Sequence, residues 1–277
     1  MIFGENIIFW VAYFIIYSLL GWILEVLHAY KKRKEWVNRG FIKGPFCPVY
    51  GFGALLILVI LAPIQQNWII LFFGGVLLIT LLEFVTGLLL ETIFGAKWWD
   101  YQDEKYHIKG YVCPKYSLLF GVVAVITMKG IHPFIENSLR TLSTNVLQGL
   151  VLIFITYLTV DFIQTVLEIM GLNRLLRDLQ HKIDELQQLE IRETLLNERI
   201  ERLGKMEKHV EEIESRMGMI KEHFKELKIE YEAMLRAGMG RYGRIIRAFP
   251  KFHSKRFQIG YKKLKERFRS FRSGQQK

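Results

Sequence analysis

From Phe46 to Leu82 the chain runs 37 residues without a charged side chain, and Ile7 to Leu24 is a second such run of 18. A helix crosses roughly 30 Å of hydrocarbon with about 20 mostly apolar residues, so runs of this length fix the solvent before they fix the fold. The longer run is divided by the polar turn Pro63-Ile64-Gln65-Gln66-Asn67. Five spanning helices are expected, at about residues 6–27, 48–63, 68–94, 113–130 and 146–170. Neither Lys nor Arg precedes the first run and no small-residue cleavage site follows it, so it reads as a span rather than a cleaved leader.

A chain that is 51% hydrophobic and still 23% charged must segregate the two classes. Residues 1–171 hold 12 Lys and Arg against 11 Asp and Glu, residues 172–236 hold 13 against 15, and residues 237–277 hold 13 against 1. Three regions follow: a transmembrane domain (1–171), a charged arm (172–236) and a basic tail (237–277). Disorder, a collagen-like repeat and a disulfide scaffold are excluded. Orientation comes from the connections. Lys31, Lys32, Arg33, Lys34, Arg39 and Lys43 lie between the first two helices, and Lys97, Lys105, Lys109 and Lys115 between the third and fourth. The other two connections hold only Lys129 and Arg140. The positive-inside rule therefore predicts a multi-pass cell-membrane protein with its N-terminus outside and its C-terminal arm in the cytoplasm.

Self-similarity adds a second constraint. Ile42-Lys43-Gly44-Pro45-Phe46-Cys47-Pro48-Val49-Tyr50 matches Ile108-Lys109-Gly110-Tyr111-Val112-Cys113-Pro114-Lys115-Tyr116 as Ile-Lys-Gly-x-x-Cys-Pro-x-Tyr, and the same offset carries Gly21-x-x-x-Glu25 onto Gly87-x-x-x-Glu91. The expected architecture is all-α, with two parallel two-helix repeats at about 8–63 and 74–129 and a fifth helix at 146–170. Both return helices read as short, with 13 residues from Tyr50 to Ala62 and from Tyr116 to Met128. The Gly- and Pro-bearing stretch before each is therefore expected to enter the bilayer as a broken-helix lining, formed by Lys43, Gly44, Cys47, Pro48 and Tyr50 and by Lys109, Gly110, Cys113, Pro114 and Tyr116.

Carboxylates point to the same place. Glu83 lies mid-helix, with Gly87 and Glu91 at four-residue steps; Tyr17, Gly21 and Glu25 are the counterparts, and Asp161, Thr165 and Glu168 recur at helical spacing on the fifth helix. A carboxylate in hydrocarbon costs several kcal/mol, so these stripes are expected to face one another and to line a substrate or ion pathway through Glu25, Glu83, Glu91 and Asp161. The bland alternative pairs them with Arg39, Lys43, Lys109 or backbone donors. The chain's two cysteines, Cys47 and Cys113, stand at matching positions, but without clustered His they do not make a zinc site. Glu25-x-x-His28 has a di-iron ligand spacing, yet Phe94 stands where its partner His belongs. No metal and no cofactor is expected.

Gly21-Trp22-Ile23-Leu24-Glu25, the run Asn38-Arg39-Gly40-Phe41-Ile42 through Gly51, Leu82-Glu83-Phe84-Val85-Thr86-Gly87 through Glu91, and Trp98-Trp99-Asp100-Tyr101 together resemble the bacterial CmpB-like family of type IV ABC transporter permeases, over about residues 8–165. The resemblance implies a permease-like membrane protein. No Gly-x-x-x-x-Gly-Lys-Ser/Thr occurs in the chain, so any ATPase belongs to a separate subunit, and no nucleophile–base motif marks it as an enzyme. The Trp98-Trp99 pair beside Asp100 reads as an interfacial anchor, or as a place to dock that subunit or grip substrate.

In the arm, Leu172, Leu176, Leu179, Ile183 and Leu186, then Met206, Val210, Ile213, Met217, Ile220, Phe224, Leu227, Tyr231 and Met234 step by threes and fours with no intervening proline. A cytoplasmic coiled coil is expected, more readily as a continuous helix that makes a homo-oligomer than as a hairpin broken at Gly204. Ala237-Gly238-Met239-Gly240 reads as flexible. Beyond it, Phe257, Tyr261, Leu264, Phe268 and Phe271 share a face of a basic helix, which suits an anionic lipid surface or an acidic partner; no motif supports nucleic acid. The functional expectation is movement of an undefined substrate between the two repeat halves. The alternative is a membrane-anchored scaffold that recruits partners through the coiled coil and basic tail.

Overall fold

The computed structural model describes residues 6–203, 207–249, 251–254 and 257–275, and the described chain is almost wholly helical. It divides into two compact units: Met1–Ile169 with Arg247–His253, and Met170–Ile246 with Ser254–Lys277.

The first unit opens with α1 (Ile7–Arg33), whose N-cap Asn6 accepts a hydrogen bond from the Ile8 amide and whose C-cap Lys34 is left-handed at φ 58°. After a loop comes α2 (Pro48–Leu61), extended by one tight turn over Ala62–Ile64. Next, α3 (Trp68–Phe94) is capped at its start by Asn67 and closed by Gly95 at φ 66°. Both return helices, α2 and α4 (Pro114–Ile126), start with cysteine at the N-cap followed by proline, a residue whose missing N–H costs nothing in a first turn. Helices pack closely where a side chain is absent: a Cβ on Gly75 would overlap that of Ala124, which holds α3 against α4, and Gly21 lies against the Tyr50 ring. Small residues at such crossings replace the hydrophobic driving force that lipid removes.

Among the described residues, four helical stretches are long and apolar enough to cross a bilayer: Ile7–Lys32, Trp68–Phe94, Pro114–Arg140 and Thr144–Arg202. The fifth expected span, Pro48–Ile64, is a shorter apolar helix of about 25 Å at 1.5 Å per residue. A second difference concerns the fourth span. The helix expected to end near residue 130 continues through a π-turn at Thr127–Ile131 into α5 (His132–Arg140). Lys129 reads as a stop, but its ammonium lies 5.5 Å over the Trp68 ring, and His132 is buried 4.9 Å from Tyr13. Only the first return helix is therefore short, which removes half of the reason for both Cys-Pro stretches to enter the bilayer.

The long helix α6 (Thr144–Leu203) begins in the first unit and runs into the second. Within the second unit its later part lies antiparallel to α7 (Glu207–Ala248). Ion pairs join Lys182 to Glu230 at 2.8 Å, Glu185 to His223 at 3.5 Å and Glu193 to Lys221 at 3.7 Å, so positions rise on one helix as they fall on the other. The arm is thus a hairpin within one chain. Leu172, Leu176 and Leu179 are fully buried in it, and that apolar stripe, expected to bind a second copy, is already covered. The expected break at Gly204 lies outside the described residues. Residues 237–240, read as flexible, are helical within α7, and the basic helix α8 (Gln258–Gln275) buries Tyr261 and Leu264, with Gly260 against the Leu176 carbonyl. The face expected to meet lipid is packed against protein instead; the side chain of Phe271 lies outside the described residues.

Candidate functional site

The loop between α1 and α2 is built around Asn38. Its carboxamide oxygen accepts from the Trp22 indole at 2.8 Å and the Gly40 amide at 2.9 Å, and its Nδ2 donates to the Lys43 carbonyl at 2.6 Å. This brace turns residues 38–43 back toward α1, where the Cys47 amide donates to the Ser18 carbonyl. Arg39 pairs with Glu25 at 2.9 Å, and the Tyr50 hydroxyl donates to the other oxygen of Glu25 at 2.8 Å.

The loop between α3 and α4 carries a second acid and phenol pair. The Tyr101 hydroxyl donates to Glu83 Oε1 at 2.9 Å, and Tyr116 stacks on Tyr101 with centroids 4.8 Å apart. Burial first, then the Glu83 charge and hydrogen bond, then the Glu25 charge hold the Tyr101 phenol well above its ordinary range. Tyr101 thus feels both glutamates, one from each helix–loop–helix segment. The other Glu83 oxygen, Oε2, is buried with no hydrogen-bond partner among the described residues. An uncompensated carboxylate oxygen inside a helical bundle is costly and marks the point where an added donor or cation gains most.

The remaining two acids are held apart from this pair. Glu91 accepts from Tyr111 at 2.7 Å, and the buried Lys97 lies 4.0 Å away while donating to the Lys109 carbonyl at 2.7 Å. Asp161 accepts from two backbone amides, Gly44 at 2.7 Å and Lys43 at 3.2 Å, and Lys43 reaches Glu168 at 3.3 Å. A shallow cavity of about 240 Å³ opens there, lined by Lys43, Gly44, Tyr157, Val160, Asp161 and Gln164. The four carboxylates expected around one site therefore form three partnerships. Arg39 and backbone donors serve Glu25 and Asp161, as the bland reading anticipates, while the charges of Glu25 and Glu83 both act on Tyr101.

Other expectations resolve residue by residue. Tyr50 meets Glu25, but its counterpart Tyr116 does not meet Glu91; Tyr111 does. Lys109 and Gly110 form a left-handed turn, with φ 50° and 75°. Trp98 is buried between Phe94, Phe41 and Phe252, and the half-buried Trp99 donates to the Tyr111 carbonyl. Asp100 accepts from the Gln102 amide in a tight turn. Cys47 and Cys113 are buried free thiols, Pro48 and Pro114 start their helices, and no metal-capable group of three side chains occurs among the described residues. The roles of Tyr101, Tyr111 and Lys97 were not read from sequence. The only signal was indirect, since each acid in an apolar helix must find a donor.

Comparison with curated proteins and with solved structures returns no match. One family model, of the CmpB type and described as "Putative ABC-transporter type IV", matches residues 12–166, more than half of the chain and all of the loops just described. The chain belongs to this ABC-transporter-related family of membrane proteins.

Proposed function

We propose that the chain is a permease-like subunit that passes its substrate between the α1–α2 and α3–α4 segments, at the site formed by Glu25, Tyr50, Glu83 and Tyr101. The observation that carries this reading is the buried Oε2 of Glu83, unpartnered beside a tyrosine that also feels Glu25. Two carboxyl groups beside the guanidinium of Arg39 favour a cation or a donor-rich solute. Glu91 and Asp161 hold loops in this scheme and do not touch substrate. ATP hydrolysis falls to a separate subunit, and the bias of basic residues toward two of the connections supports an N-terminus outside and an arm in the cytoplasm. The scaffold alternative loses its main support, because the stripe meant for partners is spent inside the hairpin.

Proteoliposomes carrying the purified protein with its ATPase test the reading against a panel of cationic and neutral solutes. Uptake of at least one solute is expected, and Glu83→Gln reduces it about tenfold or more. Uptake unchanged by that substitution removes Glu83 from the pathway.

A further inference from the structure

Residues Arg247–His253, the last two residues of α7 and the segment after them, belong to the first unit. Their partner is the loop after α3. β1 (Ala96–Lys97) pairs with β2 (His253–Ser254), and the fully buried Phe252 meets the Trp98 ring edge to face at 5.3 Å. The Lys251 ammonium donates to the Asp100 carbonyl at 2.9 Å and to Asp103 Oδ2 at 2.7 Å. These acceptors flank Tyr101 on both sides. Phe249 is also buried, and its carbonyl receives the Phe252 amide at 2.9 Å, which closes the turn that carries Lys251 and Phe252.

From this bracket we infer that Lys251 and Phe252 are positioning residues for Tyr101, so that a short C-terminal strap sets the geometry of the acid site. The inference rests on the functional reading of that site given above. Within the loop the Tyr101 amide donates to the Gly110 carbonyl, the Glu104 amide donates back to the Tyr101 carbonyl, and Lys115 pairs with Glu104 at 3.0 Å. A phenol must sit within about 0.5 Å of its working position to keep a short bond to a carboxylate, and surface turns do not supply that precision unaided. Lys251 also holds the Asp103 carboxyl below the usual range, first through the hydrogen bond and then through charge.

The test uses the full chain in nanodiscs with 3-fluorotyrosine at position 101, read by ¹⁹F NMR. Lys251→Met and Phe252→Ala are expected to move the signal toward its solvent-exposed position and to speed amide exchange across 96–104 about tenfold. Lys251→Arg keeps the wild-type signal, and exchange across 38–46 stays unchanged in all three. Because Lys251 is half exposed, its variants fold even if Phe252→Ala does not. A signal and exchange rates untouched by Lys251→Met overturn the inference, and so does loss of the wild-type signal in Lys251→Arg. Should the signal move while uptake ignores Glu83→Gln, the strap stands and the functional reading falls.

Discussion

In the segment made by α1 and α2, Gly44 turns its amide to Asp161, 117 positions away; in the segment made by α3 and α4, the matching Gly110 turns its amide to His107, three positions away. One motif, Ile-Lys-Gly-x-x-Cys-Pro-x-Tyr, is thus clamped from outside in the first case and wound upon itself in the second. The acids follow suit. Glu25 takes its phenol from the last residue of the motif, Tyr50, whereas Glu91 takes its phenol from Tyr111, at a variable position of the motif; their cations, Arg39 and Lys97, both come from the loop ahead of it. This releases Tyr116 to stack on Tyr101 and leaves Tyr101 for Glu83. A shared sequence pattern fixes helix starts and donor types, while the choice of partner depends on which neighbours each copy happens to have.

The sharpest way to break this contrast is Gly110→Val. A side chain there must adopt φ +75° and would collide with Asp100 Oδ1, so a loss of about 3 kcal/mol or more is expected, read as a lowered unfolding midpoint in detergent. Gly44→Ala has no such backbone penalty. It presses only on the ends of Tyr157 and Asp161 and should cost less than the glycine change at 110.

Asp161→Ala comes next, at about 2 kcal/mol, because it leaves the Lys43 and Gly44 amides without their acceptor. Amide exchange should rise at 43–44 and remain unchanged at 109–110; equal rises at both would erase the contrast. Third, Glu91→Gln should destabilise more than Glu25→Gln, by about 1 kcal/mol, since Lys97 is far more buried than Arg39. The smallest effect concerns acid. A depressed Asp103 carboxyl keeps its charge above the ordinary aspartate range and loses it only as pH falls through its lowered value. The Lys251 contact should therefore be indifferent to a drop from pH 7 to pH 5, checked by the same exchange measurement on 96–104.

Much of this architecture was legible in the sequence, and the exceptions share a cause. Uncharged runs gave the spanning helices, because burial in lipid acts on each residue separately. Lys129 did not end its helix, since a tryptophan from α3 offered its charge a place that no local pattern reveals. Leu172, Leu176 and Leu179 showed a buried stripe but not its partner, and a stripe reads the same whether a second copy or the same chain covers it. At the site, Glu83 was legible as a buried acid, whereas Tyr101 was not legible as its donor, 18 positions on and across a loop. Asp161 was legible as an acid in need of partners, but not which ones: the Lys43 and Gly44 amides, more than a hundred positions away, meet it.

The central claim is that Glu83 serves transport while Asp161 serves only to hold a loop. Solute uptake into proteoliposomes by Glu83→Gln and Asp161→Asn, measured side by side at matched folded amounts, tests it directly. The account predicts that uptake is lost with the first and largely retained with the second. Retention with Glu83→Gln and loss with Asp161→Asn would contradict it.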